Sequence, residues 1–120
     1  MSSRSSYVLV VDDDADVREA IADVLRVEGL AVAVARDGRE ALDRLTSTDE
    51  KPSLILLDLM MPRMSGWQLL EALRDDRTLA SIPVCVVSAS GSKTPSGARA
   101  LLHKPFELQT LLDLVAKHLG

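Results

Sequence analysis

The apolar run at residues 54–57, Leu-Ile-Leu-Leu, is followed directly by a carboxylate, Asp58. Such a run is too short for an isolated helix and is typical of a strand covered on both faces, as in a parallel sheet between helices. Pro62 and Gly66 then break the pattern, so the chain should leave the sheet as a loop after Asp58. Open α/β sheets bind their ligands at this carboxyl edge, so we ask which other side chains converge on Asp58.

The rest of the chain alternates between short apolar runs and segments with apolar residues at helical spacing. Strands are predicted at 7–11, 30–35, 54–57, 84–87 and 99–103, and the last helix is predicted at about 107–119. Asp14 can cap the first helix and Gly29 can end it. Strands alternating with helices imply right-handed crossovers, and therefore an α/β fold with a mostly parallel sheet and helices on both faces.

The fourth crossover is irregular. Ten residues, 89–98, separate the fourth and fifth strands, close to the minimum of about 10 to 12 that a helical crossover needs. The segment also contains two glycines and an internal proline, which disfavour a helix. The predicted fourth helix is therefore shortened or missing, with one turn at most or an irregular loop in its place.

Several apolar residues are predicted to pack rather than to bind. Trp67 is expected to be a packing residue, and Met60, Met61 and Met64 are expected to fill gaps beside the sheet edge. Helical spacing in the last helix predicts a buried stripe made of Leu108, Leu111, Leu112, Val115 and Leu119.

Charge and length exclude several classes of function. A chain of 120 residues with a net charge of -4 forms one domain and lacks the concentrated basic face of a nucleic-acid-binding protein. Cys85 lies in an apolar run and is predicted to be a core residue in a reducing compartment. No apolar run approaches a membrane span, and residues 1–6 are polar, without a signal peptide's apolar segment. We expect a cytoplasmic domain at residues 7–120 after a disordered lead-in at 1–6.

Polar side chains follow four of the predicted strands. Strand ends of a parallel sheet share one edge, which should collect Asp12, Asp13, Asp58, Ser88 and Lys104. Three carboxylates so close together would raise each other's pKa unless a cation intervened, and Mg²⁺ prefers such oxygen ligands. A lysine and a hydroxyl beside the ion would complete a cradle for phosphate. This set of residues predicts a site that holds or transfers a phosphoryl group.

The chain resembles the receiver domains of two-component response regulators. The motifs that carry the resemblance occur in the family's order across nearly the whole chain: Val-Val-Asp-Asp at 10–13, Leu-Leu-Asp-Leu-Met-Met-Pro at 56–62 with Met-Ser-Gly at 64–66, Val-Ser-Ala at 87–89, Gly-Ala at 97–98, and Lys-Pro-Phe at 104–106. The resemblance implies a flavodoxin-like, doubly wound (βα)5 fold with strand order 2-1-3-4-5.

The resemblance also implies residue roles. Asp58 would be the phosphoacceptor, with Mg²⁺ held by Asp12, Asp13, Asp58 and the main-chain oxygen of Met60. Ser88 would sense the phosphoryl group and Lys104 would pair with it. A sensor histidine kinase or a phosphotransfer protein would be the donor, so the chain would be a switch rather than a turnover enzyme. Its further partners would be a downstream protein or a fused output domain, and a homodimer is also compatible with the family.

Two departures from the family keep an alternative open. Leu101 stands where the family usually has an aromatic residue, three positions before the lysine, and the fourth crossover is short. A pseudo-receiver that binds partners without phosphorylation is therefore a rival. A Mg²⁺ phosphohydrolase of the haloacid-dehalogenase type is a second rival, but its Asp-x-Asp-x-Thr/Val signature fails because the last position holds Asp16 or Arg18.

Overall fold

A computed structural model describes residues 7–89 and 93–119. The predicted lead-in at 1–6 lies outside the described residues, as do residues 90–92 and 120. The described elements, in chain order, are β1 Tyr7–Val11, α1 Ala15–Val27, β2 Ala31–Ala35, α2 Gly38–Ser47, β3 Leu54–Leu57, α3 Gly66–Arg74, β4 Val84–Ser88, β5 Ala100–His103 and α4 Leu108–Leu119.

All five strands are parallel and lie in the order β2-β1-β3-β4-β5. This is the predicted flavodoxin-like, doubly wound order, with β1, β3 and β4 in the interior of the sheet. Val11 is in register with Leu57, the last residue of β3, so the residues that follow these two strands emerge side by side. The predicted fold class is confirmed.

The two faces of the sheet pack against different helices. Strand residues alternate between the faces because successive side chains of a strand point in opposite directions. Leu9 and Ile55 belong to the core under α2 and α3, whereas Val10 and Leu56 belong to the core under α1 and α4. Cys85 is buried in the second core, and burial raises the pKa of its thiol to about 11, as expected of a core cysteine.

The ends of the helices follow the sequence signals. The Asp14 carboxylate accepts hydrogen bonds from the backbone N–H groups of Asp16 and Val17 at the start of α1. Ser65 and Gln68 form a complete capping box at the start of α3. Gly29, just after α1, has a φ of 87°, which favours glycine because it has no Cβ.

The connection between β4 and β5 contains no helix in the parts that the structure describes, residue 89 and residues 93–99. A turn is closed by the Ala98 N–H, which donates to the Pro95 carbonyl at 3.0 Å. The Arg99 N–H then donates to the Val84 carbonyl at 2.7 Å and leads the chain into β5. The predicted loss of the fourth helix holds for these residues.

Three packing predictions were wrong. Leu108 is 52% exposed because it lies in the first turn of α4, and the buried part of the stripe begins one turn later, at Leu111. Trp67 is 45% exposed on the flank of α3, and Met60 is 58% exposed on the loop after β3. Met61 and Met64 are partly buried against the core, as predicted of gap fillers. None of the described helices combines the length and the apolarity that crossing a membrane requires.

Candidate functional site

Three carboxylates meet at the carboxyl edge of the sheet. Asp12 and Asp13 directly follow β1, and Asp58 directly follows the neighbouring strand β3. Each offers one carboxylate oxygen, and these oxygens all lie within 4.8 Å of one another. Asp12 and Asp58 are only 2% and 7% exposed, whereas Asp13 is exposed to solvent. The structure therefore brings together the three acidic residues that were predicted to share one edge of a parallel sheet.

A lysine balances part of this negative charge. Lys104 follows β5, and its ammonium Nζ lies 2.7 Å from Asp12 Oδ2 and 4.0 Å from Asp58 Oδ1. Its side chain is 19% exposed, so most of it is shielded from solvent. In this structure Lys104 therefore contacts Asp12 directly and Asp58 at the limit of an ion pair.

The environment of Asp58 works against its ionisation. Burial raises the pKa of the Asp58 carboxyl above its usual range, and the negative charge of Asp12 raises it further. Lys104, a hydrogen bond with the Ser88 side chain and a hydrogen bond from the Met60 N–H oppose this shift without cancelling it. A divalent cation would lower the pKa again, because positive charge stabilises the carboxylate.

Backbone hydrogen bonds place the acidic residues. The Asp58 N–H donates to the Val11 carbonyl at 2.9 Å, so the ladder between β1 and β3 extends up to the carboxylate. The Asp14 N–H donates to Asp12 Oδ1 at 2.9 Å, which orients the Asp12 carboxylate. Lys104 is placed in the same way, since its N–H donates to the Ser88 carbonyl at 3.1 Å across β4 and β5.

The loop after β3 closes on a glycine. A Cβ added to Gly66 would lie 2.4 Å from the Asp58 carbonyl oxygen and 2.7 Å from the Leu59 Cα. The Gly66 N–H donates to the Leu59 carbonyl at 2.9 Å, so α3 begins directly against the residues that leave β3. This close approach requires glycine, and it brings the start of α3 back to the acidic cluster.

Sequence reasoning missed an ion pair beside this loop. Asp37, which precedes α2 and is 1% exposed, accepts a hydrogen bond from Arg63 Nε at 2.9 Å and a second one from Arg63 Nη2. Burial works to raise the pKa of Asp37, but hydrogen bonds from the Glu40 N–H and from Arg63, together with the arginine charge, lower it overall. The pair joins positions 26 residues apart, so no local pattern indicates it.

The donor set fits a hard divalent cation. Three carboxylates lie together and Lys104 pairs directly with one of them, so the site retains excess negative charge. Mg²⁺ usually takes one or two carboxylates and keeps several waters, and the exposure of Asp13 leaves room for water on the open side. Asp12, Asp13 and Asp58 are therefore suitable ligands.

Comparisons with known proteins agree with this geometry. The profile of the family described as "Response regulator receiver domain" matches residues 8–116. Response regulator MprA of Mycolicibacterium vanbaalenii is 40% identical over 111 residues, which cover 88% of this chain and 46% of that protein. MprA of Mycobacterium tuberculosis is also 40% identical, over 114 residues that cover 90% of this chain and 48% of that protein. The chain thus spans about half the length of the curated relatives it matches.

Solved structures extend the likeness to the whole fold. A putative response regulator from Chloroflexus aurantiacus has a TM-score of 0.86 and 30% identity, covering 97% of this chain and 98% of that chain. The chemotaxis response regulator CheY4 of Vibrio cholerae gives 0.85 and 29%, with coverages of 95% and 98%. The response regulator TrrA of Thermotoga maritima, solved in complex with Mg²⁺ and BeF, gives 0.82 and 27%, with coverages of 93% and 97%. The acidic strand ends, the lysine after β5, the strand order and these likenesses lead to one conclusion: the chain belongs to the response regulator receiver domain family.

Proposed function

We propose that Asp58 accepts a phosphoryl group in a Mg²⁺-dependent reaction and that the resulting aspartyl phosphate switches the chain's interactions with partners. The donor would be a sensor histidine kinase or a phosphotransfer protein, and the domain would act in the cytoplasm. One observation carries the proposal: the oxygens of Asp12, Asp13 and Asp58 lie within 4.8 Å of one another, with Lys104 Nζ 2.7 Å from the first of them.

The chemistry follows from these positions. Bound Mg²⁺, held by Asp12, Asp13, Asp58 and the Met60 main-chain oxygen, would neutralise charge on the phosphoryl oxygens. A carboxylate oxygen of Asp58 attacks phosphorus in line while the bond from phosphorus to the donor's histidine nitrogen breaks. The Lys104 ammonium would compensate part of the negative charge of the transferred group.

Ser88 could transmit phosphorylation of Asp58 to the conformation of the connection after β4. Its buried side chain is hydrogen bonded to Asp58, and its carbonyl accepts the Lys104 N–H. A phosphoryl group on Asp58 adds charge and acceptor oxygens, so the Ser88 hydroxyl would turn toward it. Ser88 ends β4, and the shift would therefore pass into the connection to β5 or to another face. Residues 90–92 of that connection lie outside the described residues.

An apolar groove beside Lys104 supports the proposed donor. It has a volume of about 460 Å³ and lies between the start of α1 and the loop after β5. Its lining combines Lys104 with Val17, Ala20, Ile21, Ala89, Pro105 and Phe106. A donor protein seated there would present its histidine next to the acidic cluster.

The pseudo-receiver is kept as a second candidate on one observation, the missing helix between β4 and β5 in the described residues. That connection belongs to the proposed output route, so a chain that lost phosphate signalling could tolerate the change there. No observation favours the haloacid-dehalogenase type of phosphohydrolase.

Incubation with acetyl phosphate and Mg²⁺, followed by intact mass measurement, tests the proposal. Wild-type protein should gain one phosphoryl group, and the gain should disappear with Asp58→Asn or when EDTA removes the metal. Asp16→Asn is the matched control, because Asp16 is an exposed carboxylate in the first turn of α1, outside the acidic cluster. Wild-type protein that stays unmodified with acetyl phosphate and with phosphoramidate would favour the pseudo-receiver.

A further inference from the structure

We propose that Asp37 and Arg63 are positioning residues for the metal site. Their ion pair holds the loop between β3 and α3, residues 58–65, in the shape that brings the Met60 main chain to Asp58. This inference rests on the proposed function, since it assigns the pair a role in Mg²⁺ binding at that site. Neither residue belongs to the acidic cluster of Asp12, Asp13 and Asp58.

On the α2 side, the Asp37 carboxylate has two separate tasks. Its Oδ1 accepts the Glu40 N–H at 2.8 Å and caps the helix. Its Oδ2 accepts the two hydrogen bonds from the Arg63 guanidinium. Because different oxygens serve the cap and the arginine, a substitution can remove one interaction and keep the other.

On the loop side, the backbone around Arg63 is unusual. Arg63 has a φ of 64°, in the left-handed region that non-glycine residues rarely occupy. The next residue, Met64, accepts a hydrogen bond from the Gly38 N–H at 3.1 Å, so the loop is tied to α2 twice, through one side chain and one carbonyl. An uncommon backbone conformation persists only where surrounding contacts stabilise it. The two attachments to α2 are such contacts for the backbone at Arg63.

The held loop leads directly to the reactive centre. Met60 lies two residues after Asp58 and three residues before Arg63, and its N–H stabilises the Asp58 carboxylate. The Gly66 N–H donates to the Leu59 carbonyl at 2.9 Å and closes the far end of the loop. Residues 60–63 are thus attached at Asp58 and at Asp37, while the bond between Gly66 and Leu59 holds the residue just before them. Loss of the attachment at Asp37 would release the segment that contains Met60.

The effect of a released loop on the Mg²⁺ dissociation constant can be calculated. If the loop adopts the binding shape for only part of the time, the apparent dissociation constant rises by the inverse of that fraction. Loss of groups that orient metal ligands typically costs about 10- to 100-fold in affinity. The Asp37–Arg63 pair does not contact a metal ligand directly but acts through the loop. The Gly38–Met64 hydrogen bond holds the same loop and would remain if the pair were lost. We therefore expect a loss of about three- to tenfold.

The test is a Mg²⁺ titration of the wild-type chain and of its variants. Binding is monitored through the NMR chemical shifts of the Asp58 and Met60 amides. Arg63→Gln removes the guanidinium, and Asp37→Asn removes the charge while leaving an oxygen for the helix cap. Each should raise the dissociation constant about three- to tenfold, and the double variant should lose no more than the worse single variant. Arg63→Lys should recover part of the affinity.

Arg39→Gln is the matched control. Arg39 is an exposed arginine of α2 whose Nε lies 3.6 Å from Asp43 Oδ1, in a surface pair that does not involve the loop. The dissociation constant of the Arg39→Gln variant for Mg²⁺ should equal that of the wild type. An equal loss in Arg39→Gln and Arg63→Gln would mean that any removed positive charge has this effect, and it would overturn the positioning role.

The remaining outcomes separate this inference from the proposed function. Wild-type protein that binds no Mg²⁺ would overturn both. Wild-type protein that binds Mg²⁺ while Arg63→Gln keeps the same affinity would overturn the positioning role alone. A lower thermal midpoint with unchanged affinity would show that the pair is only structural, which also overturns it. If Asp37→Asn does not fold, the Arg63→Gln and Arg63→Lys pair decides, because the Arg63 side chain is 60% exposed.

Discussion

The loop after β3 and the connection after β4 leave the same edge of the sheet but are held very differently. The first is attached to α2 through Arg63 and Met64, to Asp58 through Met60, and to α3 through Gly66. In its described residues the second has the turn at 95–98 and an exposed hydrogen bond from Arg74 Nη1 to Ser96 Oγ.

This difference separates two parts of a receiver's work. The tightly held loop borders the residues that would bind metal and phosphate, whereas the described residues of the lightly held connection contain no helix. Under the proposed function, phosphate chemistry and phosphate readout would therefore have separate structural supports in this chain. A change in one can be measured without a change in the other.

Two glycine substitutions should show the largest contrast. Gly66→Ala forces a Cβ against the backbone of Asp58 and Leu59, and we expect a loss of about 3 kcal/mol in the free energy of unfolding. Gly97→Ala meets nothing closer than 3.9 Å, so only its φ of 95° should cost energy, about 1 kcal/mol. Urea denaturation of both variants is the measurement, and equal losses would contradict the contrast between the two segments.

Lys104→Met should affect chemistry strongly while leaving the connection after β4 unchanged. Loss of the ammonium should slow phosphorylation by acetyl phosphate about 100-fold, because one positive group near the phosphoryl oxygens is removed. The same change should tighten Mg²⁺ binding about threefold, because Lys104 no longer competes for Asp12. Phosphorylation rates and a Mg²⁺ titration measure the two effects, and weaker Mg²⁺ binding would contradict this account of Lys104.

The pH dependence of stability should reveal the buried attachment of the loop. The folded-state pKa of Asp37 is lowered from its usual 3.8, so its stabilising contribution is present above pH 3.8 and is lost as the pH falls further. Wild-type protein should lose stability below that pH more steeply than Asp37→Asn. Urea unfolding between pH 5 and pH 3 measures both slopes, and parallel slopes would mean that Asp37 is not held as an ion pair in solution.

The smallest effect is expected from Ser96→Ala. This change removes the 3.0 Å hydrogen bond from Arg74, which lies on the surface, and should alter the free energy of unfolding by less than about 0.5 kcal/mol. Arg63→Gln, which leaves a buried carboxylate without its cation, should cost more in the same urea experiment. If Ser96→Ala costs more, the connection after β4 is held more firmly than its described contacts indicate.

Much of the site was predictable because parallel strands bring their carboxyl ends to one edge. Asp12, Asp58 and Lys104 each directly follow a strand, and the parallel arrangement of the strands brings them to one edge. The loss of the fourth helix in the described residues was predictable from the small number of residues between the fourth and fifth predicted strands. Strand ends were wrong by a single residue at 30, 88 and 99, since hydrogen bonding rather than apolarity decides where a strand begins and ends.

The unpredicted features depend on contacts between distant segments. The Asp37–Arg63 pair needs the loop after β3 to approach α2, and no spacing along the chain encodes that approach. The exposure of Trp67 has a similar origin. The side of α3 that carries Trp67 borders a groove of about 400 Å³, and the other wall of this groove includes Pro95 and Ser96. Burial of Trp67 therefore depended on the path of the connection between β4 and β5.

The 2.7 Å contact between Lys104 and Asp12 has a consequence for assembly of the domain. A pocket that contains its own counter-ion can reach its native shape in a cell depleted of divalent metal. Under the proposed function, metal supply would then govern signalling, and newly synthesised chains would fold without waiting for the metal.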